Sequence, residues 1–330
     1  MHHVIKRENR KFSRFAKLSM HARSLLTAQI DISTESYVVL AACPIADSVR
    51  EPTLQNLAIR ETNVWSAMDR GTLITFWEDV VLGYQEIMKY VLNLYGLDIH
   101  TMSFGQQHIW MIDWVQSRQA VVSKASLKEF EQEWISAEEY QQVMSTCTAV
   151  NLHMNAVPPA TFDTLDAFRP RDKFCIAHGS WIRGEHLLRM TCNNVRILEA
   201  TLTSYHVNVF LKHWVGGQLD QLETIRITNL HSFGPDGVFL GLEARITITA
   251  ERKQYTAKNG ESVVVRNTHD IRREDGRVAS VMLIHEDLVV VVWPADHFEL
   301  TRTVLFDLNG LLTTYIAFGC SSSFINLVAI

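Results

Sequence analysis

The residues best suited to chemistry in this sequence are its 14 histidines. His206 and His213 lie seven residues apart on one predicted helix, and His186 precedes that helix. A catalytic zinc ion needs about three convergent protein ligands, and each ligand needs its own hydrogen-bonding support. No H-E-x-x-H motif or comparable local spacing occurs. The sequence therefore predicts neither a metal nor another cofactor, and a metal-dependent hydrolase is kept only as the rival to a non-enzymatic protein.

Motifs for a serine or cysteine nucleophile are absent from the sequence, as are G-x-G-x-x-G and the phosphate-binding loop. The cysteines are odd in number and form no C-x-x-C pair, a pattern that predicts buried free thiols in a reducing compartment. The N-terminus lacks the apolar run of a signal peptide. We expect no catalysis, and a cytoplasmic or nuclear location. The cysteines are Cys43, Cys147, Cys175, Cys192 and Cys320.

The charge balance argues against a protein built to grip nucleic acid, because the net charge is −5 and the pI is near 6.3. The first 23 residues carry seven Lys or Arg against one Glu. This run is either a solvated helix face or an import or RNA-binding arm. The apolar stretch from Val304 to Ile330 is interrupted by Asp307, Asn309 and Asn326, whereas a membrane span needs about 20 largely unbroken apolar residues. We expect no nucleic acid and no membrane as partners.

A recurring apolar pattern predicts the elements that would position these residues. The segment from Cys147 to Val157 fits the line L-x-x-L-x-L-x-x-N-x-L, and looser copies begin at residues 99, 122, 171, 192 and 222. The starts lie 23, 25, 24, 21 and 30 residues apart, close to the period of roughly 20–29 residues in leucine-rich repeats. Each such unit is one strand and one helix, so the strands run parallel. We predict an α/β fold: a leucine-rich-repeat-like stack of strand–helix units with a parallel sheet, followed by a small antiparallel β meander.

Local signals mark the helices and the later strands. Apolar residues recur at helical spacing from Tyr84 to Tyr95, before a stop at Gly96. We expect strand and helix to alternate from about residue 99 to 230. Beyond residue 231 the period breaks into short strands, with Ala244, Ile246 and Ile248 directed inward. The remaining signals are a capping box at Ser136 and Glu139, a helix at Met111, Ile112 and Val115, an N-cap at Thr203 or Ser204 with a stop at Gly216–Gly217, strands at Tyr37–Ala42, Thr72–Phe76 and Leu288–Trp293, and a hairpin turn at Asp275-Gly276.

The stretch from Trp181 to Ile227 resembles the type-2 F-box-associated domain of a large, nematode-expanded family of F-box proteins. The resemblance extends over roughly residues 70 to 294 through the flanking segments Ile112–Gln119 and Asp270–Arg273. The matching features are a tryptophan, a Leu-Leu helix, a cysteine-bearing strand, a Leu-Thr step and a helix that ends Phe-Leu-Lys-x-Trp, here Trp181, Leu187–Leu188, Cys192, Leu202–Thr203 and Phe210–Trp214.

The resemblance implies a substrate-recognition subunit of a Skp–cullin–F-box ubiquitin ligase, which binds a protein target and performs no catalysis itself. The segment Phe15–Leu26 resembles the final helix of the F-box, whereas the usual opening helix with Leu-Pro is missing. We therefore expect a truncated F-box, which puts docking on the Skp-type adaptor in doubt. The alternative is an orphan binding protein without a ligase role. The remnant adaptor contacts would be Phe15, Leu18, Leu25 and Leu26.

The expected organisation places the binding surface on the repeat strands. Residues 1–30 form a truncated F-box-like helical segment, 31–98 an α/β lead-in, 99–230 the repeat-like domain, 231–294 its antiparallel β-rich part, and 295–330 an apolar tail. On the concave face, outward side chains between core positions should contact the target. They are Thr101, Ser103, Asn151, His153, Arg196, Thr224 and Arg226. Their mixed polar character suits a protein partner better than a phosphate backbone.

Overall fold

The computed structural model describes residues 16–22, 26–32, 35–44, 54–59, 62–69, 72–129, 135–165, 168–258, 260–295, 300–306 and 312–318. The chain divides into two compact units, residues 1–181 (unit 1) and residues 182–330 (unit 2). The fold is mixed α/β, with a large, mostly parallel sheet and antiparallel strands towards the C-terminus. The predicted α/β class is confirmed at this level.

Unit 1 contains ten strands in the order β10-β9-β8-β7-β1-β2-β3-β6-β5-β4. Neighbouring strands from β1 through β7, β8 and β9 to β10 are parallel, as are β3 and β6; the other pairs are antiparallel. The elements are β1 (Ala16–Ala22), β2 (Leu26–Ile32), β3 (Glu35–Pro44), β4 (Gln55–Ile59), β5 (Thr62–Asp69), β6 (Thr72–Trp77), α1 (Val80–Tyr95), β7 (Ile99–Phe104), a 3-10 turn (Gln106–His108), α2 (Trp110–Gln116), β8 (Lys124–Leu127), α3 (Ala137–Thr146), β9 (Asn151–Met154) and β10 (Arg171–Ile176).

Unit 2 joins one parallel pair, β11 and β12, to an antiparallel series in the order β12-β18-β17-β16-β13. Two separate hairpins, β14–β15 and β19–β20, complete it. The elements are α4 (Gly184–Leu188), β11 (Cys192–Ala200), α5 (Ser204–Val215), β12 (Thr224–Asn229), α6 (Pro235–Phe239), a 3-10 turn (Glu243–Arg245), β13 (Ile246–Thr249), β14 (Lys253–Thr256), β15 (Ser262–Val265), β16 (Thr268–Arg272), β17 (Val278–Ile284), β18 (Asp287–Trp293), β19 (Leu300–Phe306) and β20 (Leu312–Phe318).

The predicted ends of helices α1, α3 and α5 are confirmed, and local hydrogen bonds determine them. Helix α1 buries Tyr84, Ile87 and Met88 completely and ends at Gly96, whose φ of 62° is the left-handed conformation that glycine adopts without strain. Helix α3 begins with the predicted capping box, in which the Ser136 hydroxyl accepts from the Glu139 amide and the Glu139 carboxylate accepts from the Ser136 amide. Thr203 caps α5.

One predicted helix is missing from the strand–helix alternation. The connection between β9 and β10, in its described parts 155–165 and 168–170, forms turns and extended chain. Pro158 and Pro159 lie in this connection, and proline lacks the amide that a helix interior requires. The alternation predicted for residues 99–230 is therefore wrong at this one connection.

The prediction of an F-box helix over residues 15–26 is also wrong. Residues 16–22 and 26–32 are the antiparallel strands β1 and β2, and β1 pairs in parallel with β7. Leu18 and Met20 are fully buried and alternate with Ser19 and His21 on the other face, which is the two-residue period of a strand. Because Leu18 is 0% exposed, its side chain is not available as an adaptor contact. Phe15 and Leu25 lie outside the described residues, and Leu26 begins β2.

The antiparallel part of unit 2 follows the prediction except at its edge. The Asp275-Gly276 turn joins β16 to β17, and Gly276 has φ of +89°. At the edge, residues 243–245 form a 3-10 turn and only Ile246–Thr249 is a strand, in which Ile248 is 75% exposed. The register places Ile248 opposite His269, on the same face as the buried Ile271, but Ile248 is not buried because β13 is the edge strand of the described sheet.

No helix within the described residues is long and apolar enough to cross a membrane. The predicted apolar tail contains the hairpin of β19 and β20.

Candidate functional site

The parallel strands of unit 1 separate apolar from polar side chains. Strand pairing places Met20, Met102, Ala125, Leu152 and Phe174 in one row, and all five are buried. The alternate residues form two rows on the opposite side of the sheet, because successive side chains of a strand point to opposite faces. These two rows, which we call the polar face, are Ser19, Thr101, Lys124, Asn151 and Lys173, and His21, Ser103, Ser126, His153 and Cys175.

The polar face brings together four of the residues predicted to contact a target: Thr101, Ser103, Asn151 and His153. Thr101, Asn151 and His153 are partly exposed, whereas Ser103 is only 4% exposed and forms part of the floor. Asn151 donates to the Ser123 carbonyl at 3.1 Å, which holds its amide against the sheet.

Sequence reasoning missed two members of the polar face, Lys124 and Lys173. Each is in register with Asn151, one on either side, so the three side chains form a continuous row. The strand alternation could have found them, since Lys124 precedes the core residue Ala125 and Lys173 precedes Phe174. Lys124 was missed because the repeat copy that begins at residue 122 matches the pattern poorly. No acidic residue occupies either row, so this face is basic.

Unit 2 holds the other three predicted contacts on one sheet face. Arg196 of β11 lies directly opposite Arg226 of β12, and Thr224 lies opposite Asn194. Arg196 is exposed between the buried core residues Val195 and Ile197, as a strand with one solvated face requires. The Thr224 hydroxyl donates to the Asn194 side chain at 2.7 Å.

At the edge of this sheet face, away from the two arginines, the Glu223 carboxylate has a cationic partner. Glu223 accepts from Asn194 (3.4 Å) and pairs with Lys258 (3.2 Å). Tyr255 on the covering hairpin packs edge-on against Trp293, with ring centroids 5.5 Å apart. Burial, reinforced by the neighbouring Glu223 carboxylate, raises the pKa of Tyr255 to about 12. The phenol therefore stays neutral at physiological pH.

Two of the histidines that suggested metal chemistry serve as helix caps instead. His186 Nδ1 accepts the Arg183 amide at 2.8 Å, and His206 Nδ1 accepts the Thr203 amide at 3.2 Å. Both lie three residues after the N-cap, the place that glutamate takes in a capping box. Within the described ranges, no group of three or more His, Cys, Asp or Glu side chains is placed to hold a metal ion.

Four of the five cysteines, Cys43, Cys147, Cys175 and Cys192, are buried free thiols, as predicted; Cys320 lies outside the described residues. Burial raises the pKa of the Cys147 thiol, and the Ala149 backbone and the charge of Arg171 oppose that rise only in part. Because the thiolate is the nucleophilic form, this environment makes Cys147 a packing residue.

The loops that present the polar face are held by buried polar side chains. Arg171 is 7% exposed and donates to the carbonyls of Met144 (2.7 Å), Cys147 (2.6 Å) and Ala149 (3.0 Å), which terminates α3. In the same unit, Trp181 packs edge-on against Phe162, with ring centroids 4.8 Å apart. Arg171, Trp181 and Phe162 thus have structural roles in unit 1.

The comparison with known families matches the part of the chain whose residues resemble the F-box-associated domain. Residues 165–227 match the family model described as F-box associated. The chain thus has a segment that is similar to the F-box associated family. This segment contains Arg171, both strands of the parallel pair in unit 2 nearly to the end of β12, and the arginines Arg196 and Arg226. The F-box associated family is a protein-interaction module. No curated protein and no solved structure matches the chain.

Proposed function

We propose that this chain is the substrate-recognition subunit of a Skp–cullin–F-box ubiquitin ligase. The match of residues 165–227 to the F-box associated family carries the proposal. In this role the chain binds a protein target, associates with the ligase through the Skp-type adaptor, and acts in the cytoplasm or nucleus. The transfer of ubiquitin belongs to partner subunits.

We further propose that the strand–helix region 99–230 is leucine-rich-repeat-like and that its polar sheet faces contact the target. The parallel strand pairs within each unit support this assignment. Small and medium polar side chains on a rigid sheet suit the rim of a protein interface, where hydrogen bonds and charges set orientation. The target-facing residues of this proposal are Thr101, Ser103, Asn151, His153, Arg196, Thr224 and Arg226.

Affinity purification of the tagged full chain from cells tests the ligase role. We expect the Skp-type adaptor and a cullin in the purified complex. Recovery of protein targets without the adaptor would remove the ligase role and support the alternative of an orphan binding protein.

A matched pair of variants tests the binding face. Asn151→Glu places a new carboxylate in the middle of the polar face, whereas Asn93→Glu places the same change on an exposed position of α1. We expect Asn151→Glu to abolish recovery and ubiquitination of the targets, and Asn93→Glu to leave both unchanged. Equal target recovery with the two variants would argue against the polar face of unit 1 as the binding surface.

A further inference from the structure

Two like charges face each other on the described surface of unit 2, Arg196 and Arg226, which we call the arginine pair. The two residues are direct register partners on the parallel strands β11 and β12. Neighbouring strands lie roughly 4.8 Å apart, and register partners project from the same face. Guanidinium groups stay protonated at all physiological pH values. Like charges directly opposite each other on a sheet are destabilising, so this face holds an unfavourable pair of cations.

Among the described residues, one carboxylate forms an ion pair with this arginine pair. Arg226 Nη2 lies 3.3 Å from Asp287 Oδ2, and the same carboxylate accepts the Thr228 hydroxyl at 2.6 Å. Arg196 is exposed and makes no hydrogen bond or ion pair with any described residue. The Arg226 side chain remains 50% exposed despite its ion pair. Arg196, Arg226 and Asp287 together therefore leave one positive charge on this face without a negative partner.

The surroundings of the arginine pair favour a strong contact with an anion. Arg226 is in register with Val289 of β18, which belongs to a buried cluster with Met282, Val291 and Trp293. Hairpin β14–β15 covers this cluster through Tyr255 and Val263. One side of the pair is thus bounded by apolar surface. A charge contact beside apolar surface is screened less than one in open water.

We propose that the arginine pair is a binding site for a carboxylate of an acidic segment in the protein target. This inference rests on the proposed function, and it names the chemistry of the target. A carboxylate between two guanidinium groups accepts paired hydrogen bonds from both forks. Its negative charge also removes the repulsion between Arg196 and Arg226. The neighbouring Thr224 and Asn194 are bonded to each other, which leaves the arginines as the groups that select the ligand.

Fluorescence anisotropy with labelled peptides and the full chain tests this site. One peptide of ten residues alternates Ser and Glu, and a second alternates Ser and Gln. We expect the Glu peptide to bind the parent protein about tenfold more tightly than the Gln peptide, which is the effect of a charge-assisted contact of about 1.4 kcal/mol. The double variant Arg196→Gln/Arg226→Gln should lose this preference.

Arg245→Gln is the matched control, because Arg245 is also a partly exposed arginine with one carboxylate partner, Glu274 at 3.0 Å. It should keep the tenfold preference. Thermal unfolding adds a second readout: removal of the like-charge pair should leave the melting temperature of the double variant equal to or above that of the parent. This outcome separates loss of the site from loss of the fold.

Three results would overturn the carboxylate site. They are equal affinity of the parent for both peptides, an unchanged preference in the double variant, and binding confined to a third peptide in which phosphoserine replaces glutamate. Each of these leaves the ligase role intact, since association with the Skp-type adaptor is measured independently. Absence of the adaptor with a retained Glu preference would remove the ligase role and leave the carboxylate site standing.

Discussion

Asn229 and Leu202 are joined by two reciprocal hydrogen bonds: the Asn229 side-chain oxygen accepts the Leu202 amide at 2.8 Å, and its nitrogen donates to the Leu202 carbonyl at 2.8 Å. The carboxamide thus imitates one further residue of a strand. The same nitrogen also donates to the His231 carbonyl at 2.7 Å. In unit 1, Gln119 forms the corresponding pair of bonds with the backbone of Ile99.

Asn229→Ala should destabilise unit 2 by about 3 kcal/mol, because Asn229 is buried and its loss leaves backbone groups of Leu202 and His231 without partners. Urea unfolding followed by tryptophan fluorescence measures the change. Asn93→Ala, on an exposed position of α1, is the control and should shift the free energy of unfolding by less than about 0.5 kcal/mol. A loss below about 1 kcal/mol in Asn229→Ala would contradict the role of this carboxamide.

Arg171→Met should cost about 3 kcal/mol of unfolding free energy. Methionine fills much of the same volume but leaves the carbonyls of Met144, Cys147 and Ala149 buried without the guanidinium. Arg118→Met is the matched control, because Arg118 is exposed and donates only locally, to Trp114 and Ser117. Chemical denaturation of both variants measures the difference, and equal losses would contradict a special role for Arg171.

Asp270→Asn should detach the hairpin β14–β15 from the sheet that contains β16 and Asp270. Asp270 forms an ion pair with Lys253 of β14, and both side chains are nearly buried. Removing one partner of such a pair leaves a buried charge and costs about 3–5 kcal/mol. Asp270 also accepts the hydroxyls of Thr268 (2.8 Å) and Ser280 (2.6 Å).

Hydrogen exchange of residues 253–265 reports the detachment, and we expect it to accelerate in Asp270→Asn. Glu274→Gln breaks an exposed ion pair with Arg245 instead and should cost below about 1 kcal/mol. Unchanged exchange in Asp270→Asn would show that apolar contacts alone hold the hairpin.

Stability should fall on mild acidification because of His269. Its ring stacks on Phe239, with centroids 4.2 Å apart, and burial lowers its pKa below the ordinary 6.5, with Asp270 opposing in part. A lowered pKa means that the unfolded chain takes up the proton first as the pH falls. The stability conferred by neutral His269 is therefore complete above about pH 6.5 and is lost as the pH falls towards the folded-state pKa.

His269→Gln should reduce the decline in unfolding free energy between pH 7.5 and pH 5, as measured by urea titration at each pH. Burial also lowers the pKa of His108, so His108→Gln should act in the same direction, and the double variant should decline least. An identical decline in parent and His269→Gln would contradict the assignment.

Helix limits were predictable from the sequence because the interactions that form them span few residues. The capping box of Ser136 and Glu139 and the stop at Gly96 each close within one turn, so the residue types alone predict them. The alternation of strand residues likewise predicted which side chains of β9, β11 and β12 are outward, including Asn151, Arg196 and Arg226.

Strand pairing was not predictable, because it joins residues that are distant in the chain. The segment around Leu18 was predicted to be helical from its resemblance to the F-box, and it is a strand that pairs with β7. Ile248 followed an inward alternation and is exposed because β13 is the edge strand of the described sheet.

The sequence by itself therefore determined the ends and caps of α1, α3 and α5 and the outward parity of Arg196 and Arg226. Only the tertiary structure decided that these two arginines are register partners, that Lys124 and Lys173 flank Asn151, and that Asp287 pairs with Arg226. The physical reason is the range of the interactions. Hydrogen bonds within one turn depend on residues that are close in sequence, whereas register depends on how whole strands bury their apolar faces together.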